Sequence, residues 1–214
     1  MRPDLSGAHS VGSEANAPSK LLDLMRLRLE RKDPKVTIQN FVASVTLKQR
    51  LDLDLVLRVT QGASYKPEQF PGLVYKLKKP KASALLFGSG KMVCVGTTSE
   101  ERAKEAVNRI VDALKKNGVA IAGKPEIEIQ NIVASGDLFG SVDLEAALAT
   151  LKRTMYEPEQ FPGLMYRMEE PKVVMLLFAS GKLVCTGAKK EEQVHEAVEK
   201  LQKELEAERL IHYE

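Results

Sequence analysis

The sequence predicts an α+β fold, one antiparallel sheet with helices packed on one of its faces. Three observations lead there. A shift of 91 residues aligns 36–120 on 127–211 without a gap and leaves 36 of 85 positions identical; unrelated segments of this composition would share roughly five or six. Each copy holds consecutive strand-like runs whose links are short enough to demand antiparallel pairing. Each copy also holds two helix-patterned segments, enough to cover one side of a sheet. The repeat is too long and too few in number for a solenoid, whose units run to about 20–50 residues and number at least three. Two long copies instead suggest a single-chain version of a symmetric dimer. A two-fold object is a natural match for a duplex, whose strands are also related by two-folds.

Residues 1–19 are rich in Ser, Gly, Ala and Pro and read as disordered. Leu21–Arg31 is amphipathic and reads as a short helix ending before Pro34, with a docking or tethering role. The division that follows is an extension over 1–33, a first repeat over 34–124 and a second over 125–214. Val36–Thr46 is rich in β-branched residues and reads as a strand. Leu51–Val59 alone could alternate as a strand or wind as a short helix. Its copy Val142–Leu151 is helix-forming, so both are read as helices. Residues 65–72 form a loop rich in turn signals. Leu73–Lys79, Lys81–Phe87 and Lys91–Gly96 read as strands, separated by Pro80 and Gly88–Gly90. Ser99–Asn117 reads as a helix, with Ser99 as N-cap, Gly118 beyond its end and an apolar stripe of Ala103, Ala106, Val107, Ile110, Val111 and Leu114. Its copy runs from Lys189 to about Glu208.

Composition excludes several classes. Hydrophobic residues are 43% of the chain and charged residues 29%, ordinary for a globular protein. The longest apolar run, Val173–Ala179, has seven residues, and a membrane span needs about 20. The N-terminus lacks the apolar stretch of a secretory signal. Two cysteines, Cys94 and Cys185, cannot make a disulfide scaffold. They occupy equivalent positions on the expected helix-facing side and read as core. The net charge of +3 conceals an asymmetry: 36–120 carry 14 Lys and Arg against 7 Asp and Glu, whereas 127–211 carry 10 against 15. One basic and one acidic half suggest two kinds of partner.

The sheet's second face is apolar although no helix remains to cover it. In 91–96, Met92 and Cys94 point one way, Val93 and Val95 the other; in 81–87, Ala82, Ala84 and Leu86 oppose Ser83, Leu85 and Phe87. A one-sided antiparallel sheet normally alternates apolar with polar. The second face is therefore covered by a further layer or an oligomer contact, or is an exposed binding surface. Of eleven aromatics, eight form repeat pairs: Tyr65/Tyr156, Phe70/Phe161, Tyr75/Tyr166 and Phe87/Phe178. Phe70 and Phe161 sit in Q-F-P-G turns, where a Phe either anchors its loop or enters a partner as a wedge. Phe87 and Phe178 end a strand that returns toward that loop. Lys76, Lys78, Lys79, Lys81 and Lys91, with Arg167, Lys172, Lys182 and Lys189 in the second copy, adjoin them and are suited to phosphates at the rim. Asn40 and Asn131, in Q-N-x-V-A-S, should meet near the two-fold. Their amides are satisfied by local backbone or are free for the N3 and O2 acceptors of a minor groove.

These motifs carry a resemblance. QNFVASVTL, YKPEQFPGLVYKL and LLFGSGKMVCVG, with their copies QNIVAS, YEPEQFPGLMYRM and LLFASGKLVCTG, resemble the TATA-box-binding protein family over about residues 34–211. The resemblance implies a saddle: a curved ten-stranded antiparallel sheet with four helices on its convex back and a concave face seated on a widened, bent minor groove. It implies wedge pairs in Phe70 with Phe87 and Phe161 with Phe178, and a central hydrogen-bonding pair in Asn40 and Asn131. Val42, Leu85, Val93, Val133, Leu176, Val184 and Thr186 would form the floor; Lys76, Ser89, Lys91, Arg167, Ser180 and Lys182 would meet phosphates. Val95 stands where the family usually has Thr, so only Thr186 keeps that hydroxyl. Glu157, Glu159 and Gln160 match positions that contact transcription factor B. The implied function is a general transcription initiation factor that binds double-stranded A/T-rich promoter DNA, bends it and recruits transcription factor B and, indirectly, RNA polymerase. The closely similar repeats and short N-terminal tail imply an archaeal-type, cytoplasmic member (nuclear if eukaryotic), without a membrane role and with a possible homodimer in the absence of DNA.

Other classes find little support. No cofactor or metal is expected, because His9, His195 and His212 lack ligand-like partners, and no catalytic constellation is present. G-S-G-K at 88–91 lacks the Gly and Ser/Thr of a phosphate loop, with Leu85 and Met92 in their places, and reads as a tight turn. A protein-only platform binding peptides on the apolar face is the alternative.

Overall fold

A computed structural model describes residues 31–213. The readings for 1–19 and for the amphipathic segment beginning at Leu21 lie outside the described residues, Arg31 excepted. The strands in chain order are β1 (Lys35–Thr46), β2 (Ala63–Ser64), β3 (Leu73–Leu77), β4 (Ala82–Leu86), β5 (Lys91–Thr97), β6 (Glu126–Asp137), β7 (Gly140–Val142), β8 (Thr154–Met155), β9 (Gly163–Met168), β10 (Val173–Phe178), β11 (Lys182–Ala188) and β12 (Ile211–Tyr213). The helices are α1 (Leu53–Val59), α2 (Glu100–Lys116), α3 (Leu144–Thr150) and α4 (Glu191–Ala207). Ten strands make one antiparallel sheet in the order β2-β3-β4-β5-β1-β6-β11-β10-β9-β8. That order maps onto its own reverse when each strand is exchanged for its copy. The sheet is curved, with the helices on its back. No described helix is long and apolar enough to cross a membrane.

The duplication sets the register as well as the order. Ala43 lies opposite Cys94 and Ala134 opposite Cys185; Leu85 faces Val93 and Leu176 faces Val184. The two copies meet where β1 and β6 pair along their whole length, Val42 beside Asn131 and Asn40 beside Val133. This junction is the centre of the sheet.

Local chemistry explains where elements start and stop. α1 and α3 begin two residues later than the sequence reading placed them. The Asp52 and Asp143 carboxylates accept from the backbone N–H of Leu55 and Ala146 at 3.0 and 2.9 Å and so act as N-caps. Val142, expected to open a helix, instead pairs with Ile211 in the small β7–β12 sheet. The two-residue edge strands β2 and β8 are too short to show any periodicity, and the residue-by-residue reading found neither. Ser99 caps α2 by accepting from Arg102 N–H at 3.2 Å. Its copy is Lys190, and in α4 the Gln193 side chain takes over, accepting from the Lys189 and Lys190 N–H groups.

One face of the sheet packs on the helices. Phe41, Ala43, Ala84, Leu86, Met92 and Cys94 are buried with Ala103, Ala106, Val107, Ile110 and Leu114 of α2, and the second copy repeats the arrangement. Burial pushes the Cys94 and Cys185 thiols up to about 11. At one buried position an amide replaces an aliphatic side chain. Where α2 buries Val111, α4 buries Gln202, whose Nε2 donates to the Lys32 carbonyl at 3.1 Å and the Tyr213 hydroxyl at 2.9 Å. Arg31 donates to Gln202 and pairs with Glu206. This buried polar knot ties residues 31–32 and β12 to the second repeat.

Candidate nucleic-acid interface

The other face of the sheet is uncovered among the described residues. Period-two alternation places Val42, Leu85, Val93 and Val95 on it with their copies Val133, Leu176, Val184 and Thr186, and all eight are partly exposed. Their chain neighbours that point the other way, Phe41, Ala43, Ala84, Leu86, Met92 and Cys94 and the copies of these, are buried. Val74 and Met165 pair directly with Leu85 and Leu176 and so extend the same floor; the sequence reading missed both. Their signal was present in the alternation of β3 and β9, where the intermediate residue between two buried ones is apolar.

Two aromatic pairs stand toward the ends of this strip. The Phe70 and Phe87 rings lie edge to face with centroids 5.9 Å apart, and Phe161 and Phe178 repeat this at 5.8 Å. Phe70 is 41% exposed and Phe161 43%, so neither loop Phe is core. Gly72 and Gly163 make the pairing possible. A Cβ at Gly72 would sit 2.5 Å from Phe70 Cε1 and 3.0 Å from Phe87 Cε1; at Gly163 the distances to Phe161 and Phe178 would be 2.6 and 3.1 Å. Both glycines stand in the quoted Q-F-P-G motif, yet the sequence alone did not reveal that they support the rings. The loops themselves are superposable in their bonding: Phe70 N–H donates to the Lys66 carbonyl and Phe161 N–H to that of Glu157, each at 2.9 Å.

At the centre lie the two asparagines. Gly96 and Gly187 have φ of +94° and +104°, a conformation open to glycine. There the register between neighbouring strands shifts and an N–H leaves the ladder. Asn40 Oδ1 accepts from Gly96 N–H and Asn131 Oδ1 from Gly187 N–H, both at 2.7 Å. The local-backbone reading of these amides holds for the carbonyl end of both residues, and Asn40 Nδ2 has no hydrogen-bond partner among the described residues. Asn131 Nδ2 donates to Thr186 Oγ1 at 3.1 Å. Beside the asparagines, Gln39 donates to Ser135 Oγ and Gln130 to Ser44 Oγ, each at 2.8 Å. These four polar residues belong to the Q-N-x-V-A-S motif but were not singled out.

Charge surrounds the apolar strip. Lys76, Lys91, Arg167 and Lys182 are exposed and share its face by strand alternation, while Ser89 and Ser180 are exposed in the β4–β5 and β10–β11 turns. Gly90 N–H donates to Phe87 O and Gly181 N–H to Phe178 O at 2.9 Å, which makes these the tight turns expected. Glu157, Glu159 and Gln160 are exposed on the β8–β9 loop beside Phe161, away from the asparagines. A surface with apolar floor, amide donors at its middle and cations at its margin is suited to a partner with an apolar, acceptor-lined edge between anionic rails.

Comparison with known proteins identifies the family. The pattern described as "Transcription factor TFIID (or TATA-binding protein, TBP)" matches residues 35–117 and again 126–207. The TATA-box-binding protein of Pyrodictium occultum is 56% identical over 178 residues, covering 83% of this chain and 89% of its own. That of Sulfolobus acidocaldarius is 54% identical over 166 residues, covering 78% and 84%. The solved structure of the Methanococcus jannaschii TBP aligns with a TM-score of 0.75 at 43% identity, over 81% of this chain and 99% of that one. With a twice-matched pattern, relatives above half identity and a shared saddle, the chain belongs to the TATA-binding protein family.

Proposed function

We propose that the uncovered face binds the minor groove of A/T-rich promoter DNA as a general transcription initiation factor, with the first and second repeats taken as 34–124 and 125–214. The observation that carries this reading is the apolar strip bounded by two phenylalanine pairs, each with one exposed and one partly exposed ring. The Phe70–Phe87 and Phe161–Phe178 pairs act as wedges, each unstacking a base step at a cost of a few kcal/mol. Burial of the floor residues against sugars and bases offsets that cost, together with counterions released by Lys76, Lys91, Arg167 and Lys182. Asn40 and Asn131 donate to the N3 and O2 acceptors at the centre. Sequence preference then comes from cheaply deformed pyrimidine–purine steps and from the absence of guanine amino groups.

The β8–β9 loop recruits transcription factor B, and through it RNA polymerase, using Glu157, Glu159 and Gln160. The first-copy loop has the same backbone bonds but carries Lys66 in place of Glu157, which supports charge as the difference between the two ends. Titration of a fluorescent A/T-rich duplex should show binding that weakens steeply with salt; salt-independent binding, or none, contradicts the reading. Changing Glu157 and Glu159 to Lys should abolish factor B recruitment with DNA affinity retained, and unchanged recruitment refutes that assignment.

A further inference from the structure

The methionines divide between the two faces of the sheet. Met92, Met168 and Met175 are buried in the core shared with the helices. Met155 and Met165 lie directly opposite one another in the β8–β9 pairing, so their side chains share a side of the sheet. Their chain neighbours Thr154 and Tyr166 also pair, and Tyr166 is buried in the core, which fixes the two methionines on the open face. Met155 is 56% exposed, more than any other large hydrophobic side chain among the described residues, and Met165 is partly exposed. The first repeat has no such pair. A transverse row that reads Ser64, Val74, Leu85, Val93 in the first repeat reads Met155, Met165, Leu176, Val184 in the second.

A thioether packs as an apolar group but is open to two-electron oxidation. A peroxide transfers one oxygen atom to the sulfur, which is oxidised to the sulfoxide, and the other oxygen leaves as water. The product is polar and adds a strong acceptor to the surface. In the free chain the new oxygen stays in water. Under a duplex it loses that water, and A·T pairs offer only acceptors in the minor groove, so it finds no donor on the bases. Arg167 lies two residues from Met165 on the same face; a guanidinium that bonds the sulfoxide is withdrawn from phosphate. Either course costs affinity. The thiols are not competing targets, because Cys94 and Cys185 are buried on the helix side. We infer that Met155 and Met165 form a peroxide-sensitive site at the second-repeat end of the open face, where sulfoxide formation releases the duplex. The inference rests on the minor-groove reading above.

The test treats the full chain with hydrogen peroxide, locates sulfoxides by peptide mass and measures affinity for an A/T-rich duplex before and after. Oxidation should appear at Met155 and Met165 ahead of Met92, Met168 and Met175, and Kd should rise by about tenfold or more. Methionine sulfoxide reductases for both epimers should restore it. Met155→Ser combined with Met165→Val installs the first-repeat residues; judged against its own untreated affinity, this variant should change by less than about twofold on treatment. Bound duplex should slow oxidation of Met165 by about fivefold or more. No sulfoxide at either position, sulfoxide at both without loss of affinity, a loss that persists in the double variant, or equal oxidation of Met165 with and without DNA overturns the inference. Failure of the untreated chain to bind the A/T-rich duplex would overturn the minor-groove reading itself, so the two failures are distinguishable.

Discussion

The first and second repeats share a backbone plan and differ in charge and in one buried knot. Their strand registers, aromatic pairs at 5.9 and 5.8 Å and asparagine anchors at 2.7 Å are duplicated almost atom for atom. Around them the sequence has diverged: Lys66 became Glu157, Lys78 and Lys79 became Glu169 and Glu170, and Val111 became Gln202. Even so, the β3–β4 and β9–β10 hairpins keep equivalent tethers. Arg109 donates to the Lys79 carbonyl and Lys200 to that of Glu170. What was kept twice lies on the open face or supports it. These charge reversals and the Gln202 knot lie on the loops and the back, whereas the open face changes at Val74/Met165 and Val95/Thr186. A near two-fold open face is matched to a partner that is itself nearly two-fold.

The largest effect expected of this symmetry comes from the rings. Removing either pair, Phe70 and Phe87 or Phe161 and Phe178, as a double change to Ala should weaken DNA binding on the order of 100-fold, given about 1–3 kcal/mol per stacked ring. The two doubles should agree within about threefold by fluorescence anisotropy; a loss confined to one pair breaks the equivalence. Gly72→Ala and Gly163→Ala should reproduce part of the loss with all four rings present, because the new Cβ displaces Phe70 or Phe161.

Stability should separate the repeats next. Gln202→Val installs the residue of the first copy and strands the Arg31, Lys32 and Tyr213 groups it bonds. The expected cost is about 1–3 kcal/mol in denaturant unfolding. A neutral result would mean that the knot carries no net stability.

A smaller difference concerns salt. Lys76→Ala and Arg167→Ala should each flatten the slope of log affinity against log salt by about one unit. A slope changed by one and not the other would place the phosphates asymmetrically.

The smallest contrast should be between the thiols. Burial raises both to about 11 from an ordinary 9.0, so in the folded chain they remain neutral where the unfolded chain ionises. Their contribution to stability is complete below about 9 and is lost as pH rises toward 11. Alkylation at pH 8 should leave Cys94 and Cys185 equally unreactive until denaturant is added.

Most of the fold was legible because the duplication supplies a second copy of every ambiguous segment. Leu51–Val59 could not be resolved alone, but Val142–Leu151 beside it could. Alternation in β4 and β5 also revealed an apolar face without cover. Edge strands of two residues left no pattern, and β7–β12 pairs segments about 70 residues apart, beyond any local signal. In the site, the aromatic and basic residues were legible from type and position. The glycine seats under the rings and the bulge that engages each asparagine were not, because both depend on backbone conformation that a motif does not spell out.

The central claim is that the open face holds a duplex bent away from its wedging rings. It is tested most directly by energy transfer between dyes at the two ends of a short A/T-rich duplex. On saturation with protein the ends should draw together, and the Phe161→Ala, Phe178→Ala double should relax them toward the free duplex. Tight binding that leaves the end-to-end distance unchanged would contradict the account.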